Sequence, residues 1–125
     1  MKRFLIYWLP PIIWAAVIFT FSSIADLESG LTDALDMVLR KLAHMFEYAV
    51  LFILFVRLGE SKKYEPWTVY LASLICVILY ALTDEWHQSF VPGRIGSLTD
   101  VGIDATGAII GAVFWVNIRP VKSIK

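Results

Sequence analysis

The sequence predicts an all-α integral membrane protein in which four transmembrane helices form a compact bundle. Hydrophobic residues make up 58% of the 125 residues, above the roughly 45–50% that is usual in soluble proteins. The mean hydropathy is +0.69, and the apolar residues fall into four runs, each near the ~20 residues that a spanning helix needs. Within one domain covering residues 1–125, we place the spans at about residues 4–22, 40–58, 66–84 and 98–118.

Charge and cysteine content exclude two functional classes. Eleven basic residues balance eleven acidic ones, and no basic stripe is present, so nucleic acid is not an expected partner. The single cysteine, Cys76, lies in an apolar run and is interpreted as a small buried hydrophobe, which leaves no disulfide or cysteine-based metal site within one chain. We expect no cofactor, and the expected partner of the apolar surface is the membrane lipid bilayer.

The first apolar run, from Phe4 to Ala25, follows two basic residues and contains no charge. An alternative to a span is a secretory signal peptide, because Ser23-Ile24-Ala25 resembles a cleavage site. The run is longer than the roughly 7–15 apolar residues of a signal peptide, so we favour an uncleaved span. Pro10 and Pro11 are expected to kink it, which neighbouring helices in a membrane tolerate.

The remaining elements follow from composition and from helix-breaking residues. Residues 22–36 are polar and acidic, which predicts an exposed loop or a short surface helix before a second span that begins near Arg40. Pro66 opens the third span as a first-turn proline. Gly107 and Gly111 in the fourth span allow another helix backbone to approach closely, and we favour an internal contact over a dimer contact.

The basic residues indicate the orientation of the spans. Eight of the eleven lie at the N-terminus, in the connection between the second and third spans, or in the C-terminal tail: Lys2, Arg3, Arg57, Lys62, Lys63, Arg119, Lys122 and Lys125. The positive-inside rule therefore places both termini in the cytoplasm. The start of the second span, the end of the third and the start of the fourth then meet at the outer leaflet.

Ionisable residues concentrate at that level of the bundle. Charge beside lipid is energetically unfavourable, so such a cluster is by default a functional-site hypothesis. In the second span, Lys41, His44 and Tyr48 lie on one helix stripe. The third span ends in an acidic pair, and the fourth begins with two aspartates. The predicted binding residues are Lys41, His44, Tyr48, Asp84, Glu85, Gln88, Arg94, Asp100 and Asp104.

Two interpretations of Arg94 remain open. Its guanidinium could bind Asp84, Glu85 or Asp100 bidentately, which would make the cluster a charge network that fixes helix packing. Alternatively, Arg94 with Lys41 could receive the phosphate or pyrophosphate of a lipid-linked molecule at the membrane surface. The nearby carboxylates oppose this second interpretation unless a cation bridges them.

A metal site is a third interpretation of the same cluster. The pairs His44/Glu47 and Asp84/His87 each present two potential ligands three residues apart on a helix, and Asp100 or Asp104 could complete the set around one ion. Such spacing arises often by chance, so we predict no metal.

Catalysis has candidate residues in the sequence without a recognisable constellation. The candidates are His44, Glu47, Asp84 and Glu85, with His44 beside Glu47 as the general base. Ser89 and Ser97 are possible nucleophiles, and neither lies in a strained elbow motif.

Several motifs resemble the VanZ-like family of small bacterial membrane proteins. They are Lys41-x-x-His44-x-x-x-Tyr48, Asp84-Glu85-x-x-Gln88-x-Phe90-x-Pro92-Gly93-Arg94, Asp100, Phe21-Ser22-Ser23 and Asp104-x-x-Gly107-x-x-x-Gly111. The similarity covers essentially the whole chain. The family takes its name from a protein associated with low-level resistance to the glycopeptide teicoplanin. The resemblance implies a multi-pass protein of the bacterial plasma membrane with a role in the cell envelope or in antibiotic resistance.

Two functions are compatible with these observations. The first is an accessory protein whose polar pocket at the outer leaflet binds an anionic ligand, a lipid-linked envelope precursor or a glycopeptide. The alternative is a small intramembrane enzyme that acts on a phosphorylated or lipid-linked envelope substrate, with His44 and Glu47 as acid and base and Arg94 as anion clamp. The short chain offers no separate domain for a second substrate, which favours the accessory protein.

Overall fold

The protein is all-helical throughout the part of the chain that the computed structural model describes, which is residues 1–24 and 32–119. Its helices are α1 (Lys2–Tyr7), α2 (Leu9–Ser22), α3 (Asp33–Glu60), α4 (Pro66–Gln88) and α5 (Leu98–Ile118). Three of them, α3, α4 and α5, are long and apolar enough to cross a membrane, and α2 is a shorter apolar helix. The predicted all-α class is confirmed, and three of the predicted spans are long continuous helices.

The first predicted span is divided into two helices. α1 and α2 meet at Trp8, whose backbone stays near helical values (φ −93°, ψ −39°). Pro10 and Pro11 have no N–H and cannot donate to carbonyls in the preceding turn, so the helix is interrupted just before them. The 14 residues of α2 extend roughly 21 Å at 1.5 Å per residue. Because a hydrocarbon core is about 30 Å thick, α1 must contribute to any first span.

α3 begins earlier than predicted. It starts at Asp33, seven residues before the expected start near Arg40. Asp33 and Asp36 were expected in a loop or a short surface helix, and they lie instead in the first turn of α3. Carboxylates are favourable there because the N-terminus of a helix carries partial positive charge. Within the predicted loop, residues 25–31 lie outside the described residues.

Close backbone contact between α3 and α5 holds the centre of the bundle together. A methyl group at Gly107 would collide with the backbone of Met45, and one at Gly111 would lie 2.6 Å from the carbonyl oxygen of Ala49. The predicted internal contact of the two glycines is therefore confirmed. The core around this contact is apolar and includes Leu51, Phe52, Val77 and Ala108.

The outward faces of the helices are strongly apolar. On α4, Leu71, Ile75 and Leu79 are all exposed, and they lie four residues apart on one stripe. A continuous stripe of this kind suits contact with lipid in a bundle of spanning helices. Cys76 is also exposed, so its interpretation as a buried residue was wrong. The cysteine was misplaced because an apolar run looks the same in sequence whether it faces protein or lipid.

Candidate functional site

The predicted site residues are brought together at one end of the bundle. Lys41 Nζ lies 3.1 Å from Asp100 Oδ1, and His44 Nδ1 lies 3.2 Å from Asp104 Oδ1. The later residue of α3 pairs with the later residue of α5, so these two helices run in the same direction. α4, which connects them, runs in the opposite direction. The starts of α3 and α5 therefore meet the end of α4.

The connection between α4 and α5 folds back onto the end of α4. Gly93 has φ +81°, a left-handed conformation that favours glycine. The backbone N–H of Ser97 donates to Glu85 Oε2 at 2.9 Å. A methyl group at Gly96 would collide with the backbone carbonyl of Glu85. These contacts hold the loop, and with it Arg94, against the helix ends.

A cavity of about 450 Å³ lies at this end of the bundle. This volume falls within the range of small-molecule sites, about 300–1,000 Å³. Most of the described lining residues are of charged or polar types. The basic side chains are Arg40, Lys41 and Arg94, the acidic ones are Asp33, Asp36, Glu85, Asp100 and Asp104, and His44 and Gln88 complete the polar lining.

Most of the predicted binding residues line this cavity. Those that do are Lys41, His44, Glu85, Gln88, Arg94, Asp100 and Asp104. Tyr48 and Asp84 are instead buried outside the lining.

Asp84 connects three helices through one carboxylate oxygen. Its Oδ2 accepts hydrogen bonds from Ser22 Oγ at 2.7 Å, Gln88 Nε2 at 3.0 Å and Tyr48 Oη at 3.3 Å. The donors come from α2, α4 and α3, and all four side chains are buried. Sequence reasoning did not identify Ser22 as a partner, although its place in the Phe21-Ser22-Ser23 motif was a signal. Asp84 therefore attaches the short helix α2 to the rest of the bundle.

Arg94 lines the cavity without a carboxylate partner among the described residues. Its two terminal nitrogens donate to Gln88 Oε1 at 3.1 Å and to the carbonyl oxygen of Ile24 at 2.9 Å. The bidentate carboxylate pair that one interpretation assigned to Arg94 does not form in this part of the chain. Burial lowers the pKa of the Arg94 guanidinium from its ordinary value, and the charge of Arg40 lowers that pKa further. Like charges are thus close together on one wall.

Both arginines of the cavity retain a free donor within the described residues. The Nε atoms of Arg40 and Arg94 are buried, and neither has a hydrogen-bond partner there. Guanidinium groups stay charged in proteins and match the oxygens of phosphate and carboxylate groups. This wall can therefore donate to an anion.

A second group of side chains suits a cation. His44, Glu85 and Asp104 each offer a ligand atom, and these atoms lie within 4.8 Å of one another. Of the residues weighed as metal ligands from the sequence, His44 and Asp104 belong to this group, and Glu85 was not among them.

The other predicted candidates, Glu47 and His87, lie away from the cavity. Glu47 is outside the lining, and its backbone carbonyl accepts from Trp14 Nε1 at 2.8 Å. His87 faces α2, where its Nε2 lies 3.1 Å from Ser23 Oγ and its ring stacks on Phe19. The pairs His44/Glu47 and Asp84/His87 therefore diverge, because three residues along a helix rotate a side chain by about 60°.

The two serines considered as nucleophiles make local bonds. Ser89 Oγ donates to the carbonyl oxygen of Trp86 at 2.6 Å. Ser97 Oγ accepts from the backbone N–H of Thr99 at 3.1 Å and so caps the start of α5. Both hydroxyl groups are explained by local structure.

Sequence reasoning missed the part of the lining that precedes Lys41. Asp33, Asp36 and Arg40 all line the cavity. Asp36, Arg40 and His44 are spaced by four residues, which is the stripe of one helix face. The predicted loop up to Asp36 concealed this periodicity.

The fold and the polar end of the bundle together define a multi-pass helical membrane protein with a charged cavity at one end. The chain belongs to the VanZ/LLP1 family, whose sequence profile matches residues 6–119. The match confirms the resemblance seen in the motifs. Searches of curated proteins and of solved structures found no match.

Proposed function

We propose that this protein is a cell-envelope accessory protein of the bacterial plasma membrane whose cavity binds an anionic, lipid-linked ligand at the outer leaflet. One observation supports this function above the others: Arg94 lines the cavity with its charge unpaired by any carboxylate of the described residues. A lipid-linked envelope precursor fits this description. A role in glycopeptide (teicoplanin) resistance rests on the family resemblance.

The balance of charge at the cavity wall supports an anionic ligand. Lys41 is engaged with Asp100, both partly exposed, whereas Arg40 and Arg94 each keep a buried Nε donor. Hydrogen bonds between guanidinium and phosphate are charge-assisted and about twice as strong as neutral ones. A phosphate group between the two arginines would relieve their mutual repulsion.

The apolar surroundings of the cavity support a ligand with a lipid tail. Phe90, Ile95 and Leu98 lie on or beside the loop that carries Arg94, and they are 68%, 89% and 80% exposed. A headgroup in the cavity would place its tail along these side chains and along the outward faces of the helices. The positive-inside rule assigns this end of the bundle to the outer leaflet.

Binding of geranylgeranyl pyrophosphate to the detergent-purified protein tests this function. We expect the pyrophosphate to bind and geranylgeraniol, the same tail without charge, to bind at least about tenfold more weakly. Arg94→Gln should reduce pyrophosphate affinity roughly 10-fold to 100-fold, because a hydrogen bond to a charged group contributes about 1.5–3 kcal/mol. Native mass spectrometry can measure the affinities of both ligands for the parent protein and the variant.

Arg119→Gln is the matched control, because Arg119 follows α5 at the opposite end of that helix. It should leave affinity unchanged. Equal binding of the alcohol and the pyrophosphate, or an Arg94→Gln variant that binds as the parent does, would contradict the proposal.

The alternative, a small intramembrane enzyme, is supported by one contact. His44 lines the cavity, and its Nδ1 lies 3.2 Å from Asp104 Oδ1. A carboxylate that orients a histidine is the arrangement of a general base. In this arrangement Asp104, rather than Glu47, is the carboxylate that accompanies His44. Release of phosphate from geranylgeranyl pyrophosphate during the binding assay would favour this alternative.

A further inference from the structure

We propose that His44, Glu85 and Asp104 form a binding site for one divalent transition-metal ion. They lie on α3, α4 and α5, all three line the cavity, and their ligand atoms lie within 4.8 Å of one another. The site would be the most buried part of the cavity wall. This inference is independent of whether the arginine wall binds an anion.

The negative charges of Glu85 and Asp104 need a positive charge nearby. Glu85 is 5% exposed and Asp104 is fully buried. Among residues 1–24 and 32–119, no lysine or arginine nitrogen lies within 4.0 Å of either carboxylate. Buried carboxylates are normally paired with a base or bound to a metal, because an isolated buried charge is very unfavourable. His44 alone cannot neutralise two carboxylates, whereas a divalent cation can.

Asp104 supplies a second, independent observation. Its side chain is fully buried and lines the cavity, and its Oδ1 lies 3.2 Å from His44 Nδ1. Its other oxygen, Oδ2, has no hydrogen-bond partner within the described part of the chain. An unsatisfied buried acceptor is destabilising by about 1–3 kcal/mol, and more for a charged group. Coordination to a cation would satisfy it.

The donor set selects the class of metal. One imidazole nitrogen and two carboxylate oxygens suit Zn²⁺ or Mn²⁺ better than Mg²⁺ or Ca²⁺, which prefer oxygen alone. Ligands about 2.1 Å from a tetrahedral ion lie roughly 3.4 Å apart. The His44 Nδ1 to Asp104 Oδ1 distance of 3.2 Å is already near this value. Three protein ligands leave a fourth position for water or an anion from the cavity.

The competing arrangement contains no metal. In it, a protonated His44 pairs with an ionised Asp104, and Glu85 stays protonated. Both arrangements are electrically balanced, and only one of them binds an ion at a fixed stoichiometry.

The experiment uses the full chain, purified in detergent with a tag that contains no histidine. The protein is stripped with EDTA and titrated with Zn²⁺ alone, without any anionic ligand. We expect one ion per chain by elemental analysis, and Co²⁺ in its place should give visible d–d bands of nitrogen and oxygen coordination. Zn²⁺ should also raise the Tm of the parent protein, because it binds the folded state.

Two nearly isosteric variants identify the ligands. Asp104→Asn and Glu85→Gln should each reduce Zn²⁺ affinity by at least about 10-fold to 100-fold. Losses of this size follow even the mutation of a residue that only hydrogen-bonds to a metal ligand. The controls are Asp100→Asn, a carboxylate of the same cavity paired with Lys41, and His87→Gln, the other histidine. Both controls should bind Zn²⁺ as the parent does.

The proposal is overturned if the parent protein binds no ion at fixed stoichiometry, or if the controls lose as much affinity as the two variants. If Asp104→Asn fails to fold, the parent titration and Glu85→Gln decide the outcome. Arg94→Gln should retain Zn²⁺ binding, so failure of the metal site and failure of the anion site can be told apart.

Discussion

At the residue scale, the partners of each charged side chain determine its role. Asp84 and Asp104 are both buried aspartates on adjacent helices. One oxygen of Asp84 accepts three hydrogen bonds, from Ser22, Tyr48 and Gln88. Asp104 bonds to the imidazole of His44 and lines the cavity, which Asp84 does not. Each of the two carboxylates keeps one buried oxygen without a hydrogen-bond partner among the described residues. Asp84 is therefore assigned to packing, and Asp104 to the cavity.

Ser22→Ala tests the packing role of Asp84. The Ser22 hydroxyl makes the shortest of the three bonds to Asp84 Oδ2, at 2.7 Å. Its removal should lower the free energy of unfolding by about 1–3 kcal/mol, because a buried carboxylate loses a donor. Thermal or denaturant unfolding in detergent, followed by circular dichroism, measures the loss.

The adjacent serine provides a matched control. Ser23 is exposed, and its hydroxyl donates to the Phe19 carbonyl of the preceding helical turn and lies 3.1 Å from His87 Nε2, a contact that is also exposed. Ser23→Ala should change stability by less than about 0.5 kcal/mol, as is usual at the surface. Similar losses for the two variants would show that Asp84 does not depend on Ser22.

The identities of the site residues were predictable at this scale, and their pairings were not. Lys41, His44 and Arg94 were identified because polar residues are conspicuous in apolar runs. That Arg94 bonds to Gln88 and to a backbone carbonyl could not be predicted, because those contacts depend on how the loop folds back onto α4.

At the element scale, contact between α3 and α5 positions the cavity. Gly107→Ala should destabilise the protein by about 1–3 kcal/mol, because the added methyl group collides with the backbone of Met45 and the helices must move apart. The same movement should weaken binding of geranylgeranyl pyrophosphate. Unfolding in detergent and native mass spectrometry provide the two measurements.

Gly102 is the control on the same helix. A methyl group there would meet nothing within 4 Å. Gly102→Ala should therefore be neutral or stabilising by up to about 1 kcal/mol, because alanine favours helix. If Gly102→Ala proved as destabilising as Gly107→Ala, close packing against α3 would not be the explanation.

Helix boundaries were the weakest part of the prediction at this scale. Residues 33–36 were assigned to a loop or short surface helix because the segment 22–36 is polar and acidic, and they form the first turn of α3. A 28-residue helix extends roughly 42 Å, which exceeds a bilayer core of about 30 Å. The excess forms part of the cavity wall, so an error in one boundary concealed three lining residues.

At the scale of the whole molecule, the orientation of the bundle decides which solution the cavity faces. We expect Ile95→Cys in a Cys76→Ala background to react with a membrane-impermeant maleimide in intact cells, because the positive-inside rule, applied to the eight of eleven basic residues outside the predicted outer-leaflet end, assigns Ile95 to the outside. Lys62→Cys in the same background should react only after the membrane is permeabilised. Gel-shift labelling measures both.

Both positions are exposed, so accessibility within the protein does not limit either reaction. Labelling of Lys62→Cys in intact cells, together with protection of Ile95→Cys, would invert the topology. The cavity would then face the cytoplasm, and a ligand at the outer leaflet would be ruled out.

The sequence by itself determined the helical membrane class, the family and the set of ionisable residues at one end of the bundle. These properties depend on composition and on spacing along the chain, which are local. Only the tertiary structure decided that Asp84 bonds to Ser22, that Arg94 lines the cavity without a carboxylate partner among the described residues, and that Glu85 joins His44 and Asp104. Those outcomes depend on how three helices are rotated about their own axes, which no single segment encodes. Close contact at Gly107 and Gly111 fixes this rotation for α3 against α5.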